Sequence, residues 1–454
     1  SYGYRGPFRR MESKRAPDVL GPNDDPGEPL FLTPLIDAGK IDDARRLSSV
    51  ELPPYKSQSF SGYLTVNKEH NSNMFFWFFP AQSKVTNSPL LLWLQGGPGA
   101  SSLFGLFTEI GPILIDANGV IQLRDITWNK NYHLLFIDNP VGTGFSFTSD
   151  DAGYAKNQDD VARDLYSALT QFFQVYYEYQ SSPFYVTGES YAGKYVPSIT
   201  HKIHVENPQA KVKINLKGMS IGDGLCNPYE EFDYGPFLFQ IGLIDSHQLS
   251  FFQLQTLLGR YAIEQGRYVD AFHIFDSLLN GDLLNTTSYF YNVTGIKNYF
   301  NYLLSNEPED EGYYVPFITS VARRKQIHVG NISYGAQSEI VEQMLLNDVM
   351  QSMAPQIAII ANNYKVLIYN GQLDVIIAVP LTMNWVDKLE WQYADDLRTA
   401  DRLVWKVDPN DPEVAGYLKK SHQFYLATVR NAGHMVPHDQ PRVALDLLTK
   451  FLSD

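Results

Sequence analysis

Apolar runs recur along the chain between turn signals, and their spacing predicts a sheet. Tyr63–Val66 and Met74–Phe79 read as an antiparallel opening pair. Leu90–Leu94, His133–Asp138, Phe184–Thr187, Ile214–Ile221, Lys365–Tyr369 and Phe424–Val429 read as central strands. Several of these runs are continuous rather than alternating, the pattern of parallel strands buried on both faces. Helical periodicity lies between them. Over Asp159–Tyr177 it puts Val161, Leu165, Leu169, Phe172 and Phe173 on one face, and Val443–Phe451 reads as a final helix. Strand alternating with helix predicts an α/β architecture, a doubly wound and mostly parallel central sheet with helices on both faces.

The rhythm changes after Asp223. From there to about Gln351 the chain is aromatic and helix-rich, with acidic turns such as Glu307-Pro-Glu-Asp-Glu-Gly. This predicts an inserted helical cap over 225–352, dividing a single core into 31–224 and 353–454. Residues 1–30 carry few apolar positions and read as a mobile N-terminal arm.

Charge and composition narrow the chemistry. The net charge is −14, which disfavours a polyanionic partner and so nucleic acid. No apolar stretch reaches the roughly 20 residues needed to span a bilayer. Cys226 is the one cysteine, so the sequence supplies neither an internal disulfide nor a cysteine-based zinc cluster. Sequons at Asn285, Asn292 and Asn331 point to glycosylation and the secretory pathway.

The strand Phe184–Thr187 runs into Gly188-Glu189-Ser190-Tyr191-Ala192-Gly193, and a helix-like pattern follows. A serine flanked by small residues two positions away, between strand and helix, is the nucleophile elbow of an α/β-hydrolase fold. Here the second small position is Ala192, and the glycine comes one residue late. The alternative is a turn with a serine helix cap. A lone serine needs a base, expected after the last strand in the chain order Ser, Asp, His. Phe424–Val429 is that strand, and His434 follows it. The orienting acid should close the preceding strand. Asp374 is the only carboxylate between Lys365–Tyr369 and the helix pattern after it. His434 and His438 are also spaced like metal ligands one helical turn apart, but Pro437 argues against a helix there, so no metal is expected.

Five ordered stretches carry a resemblance. Leu92-Trp-Leu-Gln-Gly-Gly-Pro-Gly-Ala-Ser-Ser-Leu-Phe-Gly, Asp138-Asn-Pro-Val-Gly-Thr-Gly-Phe-Ser, Gly188-Glu-Ser-Tyr-Ala-Gly-Lys-Tyr-Val-Pro, Tyr369-Asn-Gly-Gln-Leu-Asp and Ala432-Gly-His-Met-Val-Pro closely resemble the serine carboxypeptidases. Within that family the chain is most similar to the vitellogenic carboxypeptidase-like branch, through Glu-Pro-Leu-Phe-Leu-Thr-Pro, Asn-Ser-Asn-Met-Phe-Phe-Trp and Gln372. The resemblance implies an α/β-hydrolase that removes single C-terminal residues from peptides or proteins at acidic pH through an acyl-enzyme, without a cofactor. It implies Ser190, Asp374 and His434 as the triad and the amides of Gly97 and Tyr191 as the oxyanion hole. It also implies Gln95, Gly96, Glu109 and Glu189 as the group holding the substrate's terminal carboxylate. Gln95 departs from the family's usual asparagine, and Ala100 and Ile377 stand where cysteines are common. Secretion, or a lysosomal or yolk-type acidic compartment, is the expected location, and a homodimer is compatible with the sequence. The rival readings are an acyltransferase using the same triad and a non-catalytic storage or protective binding protein.

Overall fold

In a computed structural model of the chain, residues 20–281 and 286–453 are described. Edge to edge, the main sheet runs through Ser49–Leu52, Tyr55–Asn67, Ser72–Phe79, His133–Ile137, Leu90–Leu94, Phe184–Glu189, Leu216–Gly222, Lys365–Gly371, Phe424–Val429, Gly416–Ser421 and Leu403–Trp405. From His133–Ile137 to Phe424–Val429 every neighbouring pair is parallel, and the strands on either side are antiparallel. Helices cover both sides of this mixed, mostly parallel sheet.

Strand Ser72–Phe79 shows why so many aromatic residues fall in one run. All eight residues are buried. On one face Phe76 and Phe78 meet Phe172 of the helix Gln158–Val175, with ring centroids 6.0 and 4.9 Å apart. On the other, Trp77 packs on Phe79 and, at 5.9 Å, on Phe107. Both faces of the pleat are therefore covered, and each ring taken out of water contributes about 1.5–3 kcal/mol. The facing helix starts where its chemistry says it should. Asn157 caps it by accepting from the Asp160 amide at 2.9 Å, with Asp159 and Asp160 in the first turn. Its predicted apolar face, Val161 to Phe173, is buried.

Between Leu216–Gly222 and Lys365–Gly371 the chain forms only helices and irregular segments among the described residues. The longest are Tyr234–Gln240, Ser246–Glu264, Tyr268–Leu279 and Ala354–Asn363. Asn285 lies outside the described residues. Asn292 and Asn331 are exposed. Of the expected arm, residues 1–19 also lie outside the description. Its end is fastened: Leu30 donates to the His328 carbonyl at 3.0 Å, and Tyr63 donates back to Leu30 at 2.9 Å.

Candidate active site

The elbow forms as its residues require. Strand Phe184–Glu189 stops, Ser190 takes φ +66°, and helix Ala192–Glu206 begins at once. That left-handed backbone is strained for a serine and projects its side chain outward from the turn. Crowding explains the small neighbours. A Cβ on Gly188 would stand 2.8 Å from that of Ala192 and 2.5 Å from the Leu94 carbonyl oxygen. The late glycine has its own cause, since a Cβ on Gly193 would strike the Leu225 backbone at 2.7 Å. Pro197 lies inside the helix without ending it.

Two loops bring the base and the acid to the serine. Gln372 and Leu373 donate to the carbonyls of Val429 and Ala432, at 2.9 and 2.8 Å, lacing the Asp374 loop to the His434 loop. His434 Nδ1 and Asp374 Oδ2 lie 2.6 Å apart, both buried. Asp374 Oδ1 also accepts from the Ile377 amide at 3.3 Å. The His434 amide donates to the Phe300 carbonyl at 2.8 Å, and the Phe300 ring lies 4.8 Å from the imidazole. Ser190 Oγ and His434 Nε2 are buried, and among the described residues neither has a hydrogen-bond partner. Both residues line one cavity of about 570 Å³.

Gln95, Gly96 and Gly97 line the same cavity. The glycine loop presses on the elbow so closely that a Cβ on Gly96 would stand 2.4 Å from the Tyr191 amide nitrogen. Gly97 has φ +115°, open only to glycine. Glu109 and Glu189 are fully buried and do not line the cavity. Gln95 reaches between, its Nε2 donating to Glu189 Oε1 at 2.6 Å while its Oε1 accepts from Trp93 Nε1 at 3.0 Å. Glu109 belongs to a short π-helical turn, Leu106–Ile110. Arg124 holds that turn through the carbonyls of Phe107 and Gly111, at 2.5 and 2.9 Å. Burial lowers the Arg124 pKa to about 10 against the opposing field of Glu109 and Asp310.

Other residues complete the site although no sequence argument singled them out. Asp223 follows strand Leu216–Gly222, between the strands that lead to Ser190 and Asp374, and its carboxyl is fully buried within 4.8 Å of that of Asp374. Asp138 accepts from Ser101 Oγ and the amides of Ser102 and Phe145, at 2.6, 3.0 and 2.9 Å, and so clamps the loop that follows Gly97. Burial raises its pKa to about 7 against those bonds. Tyr191 Oη and Gln158 Nε2 both donate to Asp348 Oδ2 at 2.7 Å, and Lys194 binds the Asp348 and Gln351 carbonyls. The start of the serine helix is thereby tied to the segment leaving the helical insertion. The Gly-His-Met sequence could have signalled only part of the His434 environment. Contrary to the argument from Pro437, Val436–Asp439 is a short helix, because proline in a first turn gives up an amide that has no helical partner. Both ring nitrogens of His438 are engaged elsewhere, Nδ1 with Asp439 and Nε2 with Asp310, each at 2.8 Å.

Comparison with known proteins agrees with this geometry. The family model described as serine carboxypeptidase, peptidase S10, matches residues 50–454. The human protein named "Probable serine carboxypeptidase CPVL" is 51% identical over 95% of this chain and 91% of its own length. The venom serine carboxypeptidase of Apis mellifera is 50% identical over 94% of this chain and 91% of its own. The vitellogenic carboxypeptidase of Aedes aegypti is 41% identical over 94% and 90%. Among solved structures, Kex1(delta)p, a prohormone-processing carboxypeptidase from Saccharomyces cerevisiae, superposes with a TM-score of 0.78, covering 90% of this chain and 96% of that one. At 23% identity that likeness speaks for the α/β-hydrolase fold alone. A family match along nearly the whole chain, with relatives half identical to it, makes this protein a member of the serine carboxypeptidase family and a serine-type hydrolase.

Proposed function

We propose that Ser190 attacks the last peptide bond of a peptide or protein chain. His434 Nε2 takes the hydroxyl proton, and Asp374 keeps the imidazole oriented and balances its charge. The amides of Gly97 and Tyr191 receive the carbonyl oxygen as it becomes an oxyanion. Collapse of the tetrahedral intermediate passes the proton to the leaving amino acid and leaves an ester on Ser190. Water, deprotonated by His434, then releases the shortened peptide. The observation that carries this reading is a buried hydroxyl and a buried imidazole nitrogen opening on one cavity, with the ring's other nitrogen held by a carboxylate.

Selectivity for a chain end comes from Gln95 and Gly96 at the cavity wall, with Glu189 behind Gln95 and Glu109 acting, like Glu189, on Tyr369. Carboxyl groups crowded against a substrate carboxylate cannot all be ionised, and a shared proton turns repulsion into a hydrogen bond. Raising the pH removes that proton and expels the substrate, so acid operation follows from reading a terminal carboxylate. Phe104, Phe300 and Tyr334 give the cavity an aromatic wall suited to apolar side chains beside the scissile bond.

The helical insertion over 225–352 serves as the cap that closes this cavity. Exposed sequons at Asn292 and Asn331 support passage through the secretory pathway. The names of the venom and vitellogenic relatives support secretion or an acidic, yolk-type or lysosomal destination. A homodimer would use helix Ser246–Glu264, where Phe251, Leu254, Leu258 and Tyr261 form a 3-4-3 stripe on the exposed side and Leu257 is 66% exposed. Two such faces would bury about 1,000 Å², the size at which specific interfaces begin. Among Asp, Glu, Lys and Arg this helix bears only Arg260 and Glu264, so a second copy meets little of the chain's net negative charge there.

The test is a ladder of peptides incubated at about pH 5, between the ordinary carboxyl and imidazole pKa values, and read by mass spectrometry. Wild type should remove one residue at a time from the C-terminus, and Ser190→Ala should remove none. An organophosphonate should label only the wild type. A folded wild type that neither cleaves nor is labelled would favour a binding role, and ester formation with an added alcohol in place of hydrolysis would favour acyl transfer.

A further inference from the structure

A second acid stands behind the triad. Asp223 follows strand Leu216–Gly222, which lies in the sheet between the serine strand and Lys365–Gly371. Its backbone is held in the left-handed region at φ +44°, uncommon for a residue with a side chain. Its amide donates to the Tyr369 carbonyl at 2.9 Å, and both carboxyl oxygens receive the Gly371 amide, at 3.0 and 3.2 Å. One oxygen of Asp223, one of Asp374 and one ring nitrogen of His434 all lie within 4.8 Å of one another. The two buried carboxyl groups thus approach within 4.8 Å of each other.

Two buried carboxyl groups this close cannot both carry a full charge without cost, a shared proton relieves them, and the surroundings decide which one carries it. Asp374 receives a ring N–H from His434 and an amide from Ile377, both of which favour its negative form. Asp223 has one amide, shared between its two oxygens. It also faces the negative charges of Asp374 and Glu189. Tyr369 stands in the field of Asp223, Glu189 and Glu109, and Glu231 feels the charge of Asp374. Burial raises both aspartates; the charge of Asp374 adds to the rise at Asp223, while His434 opposes the rise at Asp374.

We propose that Asp223 is a positioning residue that keeps its proton throughout the reaction and donates it to Asp374. The donated bond fixes the Asp374 carboxylate with Oδ2 towards His434 Nδ1. It also draws part of the negative charge on Asp374 away from the side that faces the imidazole. This inference rests on the triad reading above.

The experiment follows the acid limb of kcat/KM, where the base loses its free electron pair. Asp223→Asn keeps a donor for Asp374 and an acceptor for Gly371 but cannot ionise. Its limb should fall within about 0.3 pH units of wild type and its kcat within about threefold, the scatter expected of an isosteric change. Were Asp223 a carboxylate, removing its charge would make the site less favourable to a bound proton, and the limb would move down by about one unit. That movement would overturn the proposal. Asp223→Leu removes the donor. Its limb should move up, with kcat lowered about 10- to 100-fold as the acid loses its fixed orientation, and with KM little changed. A Leu variant with the wild-type limb would equally overturn the proposal, and if it does not fold the Asn variant alone decides. Activity persisting in Ser190→Ala would sink the triad itself, whereas a displaced Asn limb with inactive Ser190→Ala would sink only the role of Asp223.

Discussion

Replacing His438 by glutamine should weaken the fold in a way that depends on pH. His438 sits between Asp310, on the segment lining the cavity, and Asp439, whose other oxygen accepts from the Gly433 amide at 2.7 Å. Burial alone would lower its pKa, but the two carboxylates outweigh burial and raise it from 6.5 to about 9. A histidine bound more tightly as the cation contributes stability that is complete below pH 6.5 and disappears as the pH rises through about 9. At 1.36 kcal/mol per pKa unit the rise corresponds to about 3 kcal/mol. Asp310 is 54% exposed, so solvent screens part of the attraction and about 2 kcal/mol is the working figure. Urea denaturation of wild type and His438→Gln at pH 6, 8 and 10 isolates the term, because other groups cancel in the difference. The gap should be about 2 kcal/mol at pH 6, smaller at pH 8 and nearly closed at pH 10. Should the gap be equal at all three values, or wider at pH 10, the ion-pair reasoning is wrong and His438 matters only through its packing.

Conversion of a peptide's terminal carboxylate to an amide should lower kcat/KM about 10- to 100-fold at pH 5, the cost of one charge-assisted hydrogen bond. Equal rates in a chromatographic assay would contradict the role given to Gln95, Glu109 and Glu189. Light scattering should find a dimer at micromolar wild-type concentration and a monomer for Leu254→Glu with Leu258→Glu, since each would bury a charge at the stripe. A monomeric wild type would remove the interface.

Much of the fold could be read from the sequence because its signals are local. Phe424–Val429 and Leu90–Leu94 run as predicted, since an apolar run bounded by turns has few other ways to satisfy its backbone. The ends are less local. Phe184–Thr187 extends to Glu189, because pairing with Leu216–Gly222 continues to the elbow. Ser190, Asp374 and His434 were legible through their order relative to strands. Glu109 was not: only family resemblance pointed to it, and its place is set by a π-turn that Arg124 holds from a distance in sequence. The same limit hid His438, whose partner Asp310 is 128 residues away. Pro437 misled for a different reason, because a proline that would break a long helix suits the first turn of a short one.

Asp223 shows what strand order adds to motif order. Ser190 and Asp374, the acid of the proposed triad, follow strands that are not neighbours; Leu216–Gly222 lies between them. Whatever residue closes that strand must fill the gap between nucleophile and acid, and it must do so out of water. An apolar side chain there would leave one side of the Asp374 carboxylate without a donor, at a cost of about 1–3 kcal/mol or more for a charged group. An ionised one would face both Asp374 and Glu189 across a medium that screens poorly. A neutral group with one donor and one acceptor answers both demands, and a protonated carboxyl is such a group. Glu109, Glu189, Asp223, Glu231 and Asp374 are all buried around one site. Arg124 and His434 are basic groups whose fields or bonds reach members of this cluster. With so few positive charges against five carboxyl groups, shared protons are the physical means of keeping them together. If a substrate's carboxylate is held at acid pH as proposed above, the same pH is also the condition under which this buried cluster is least strained.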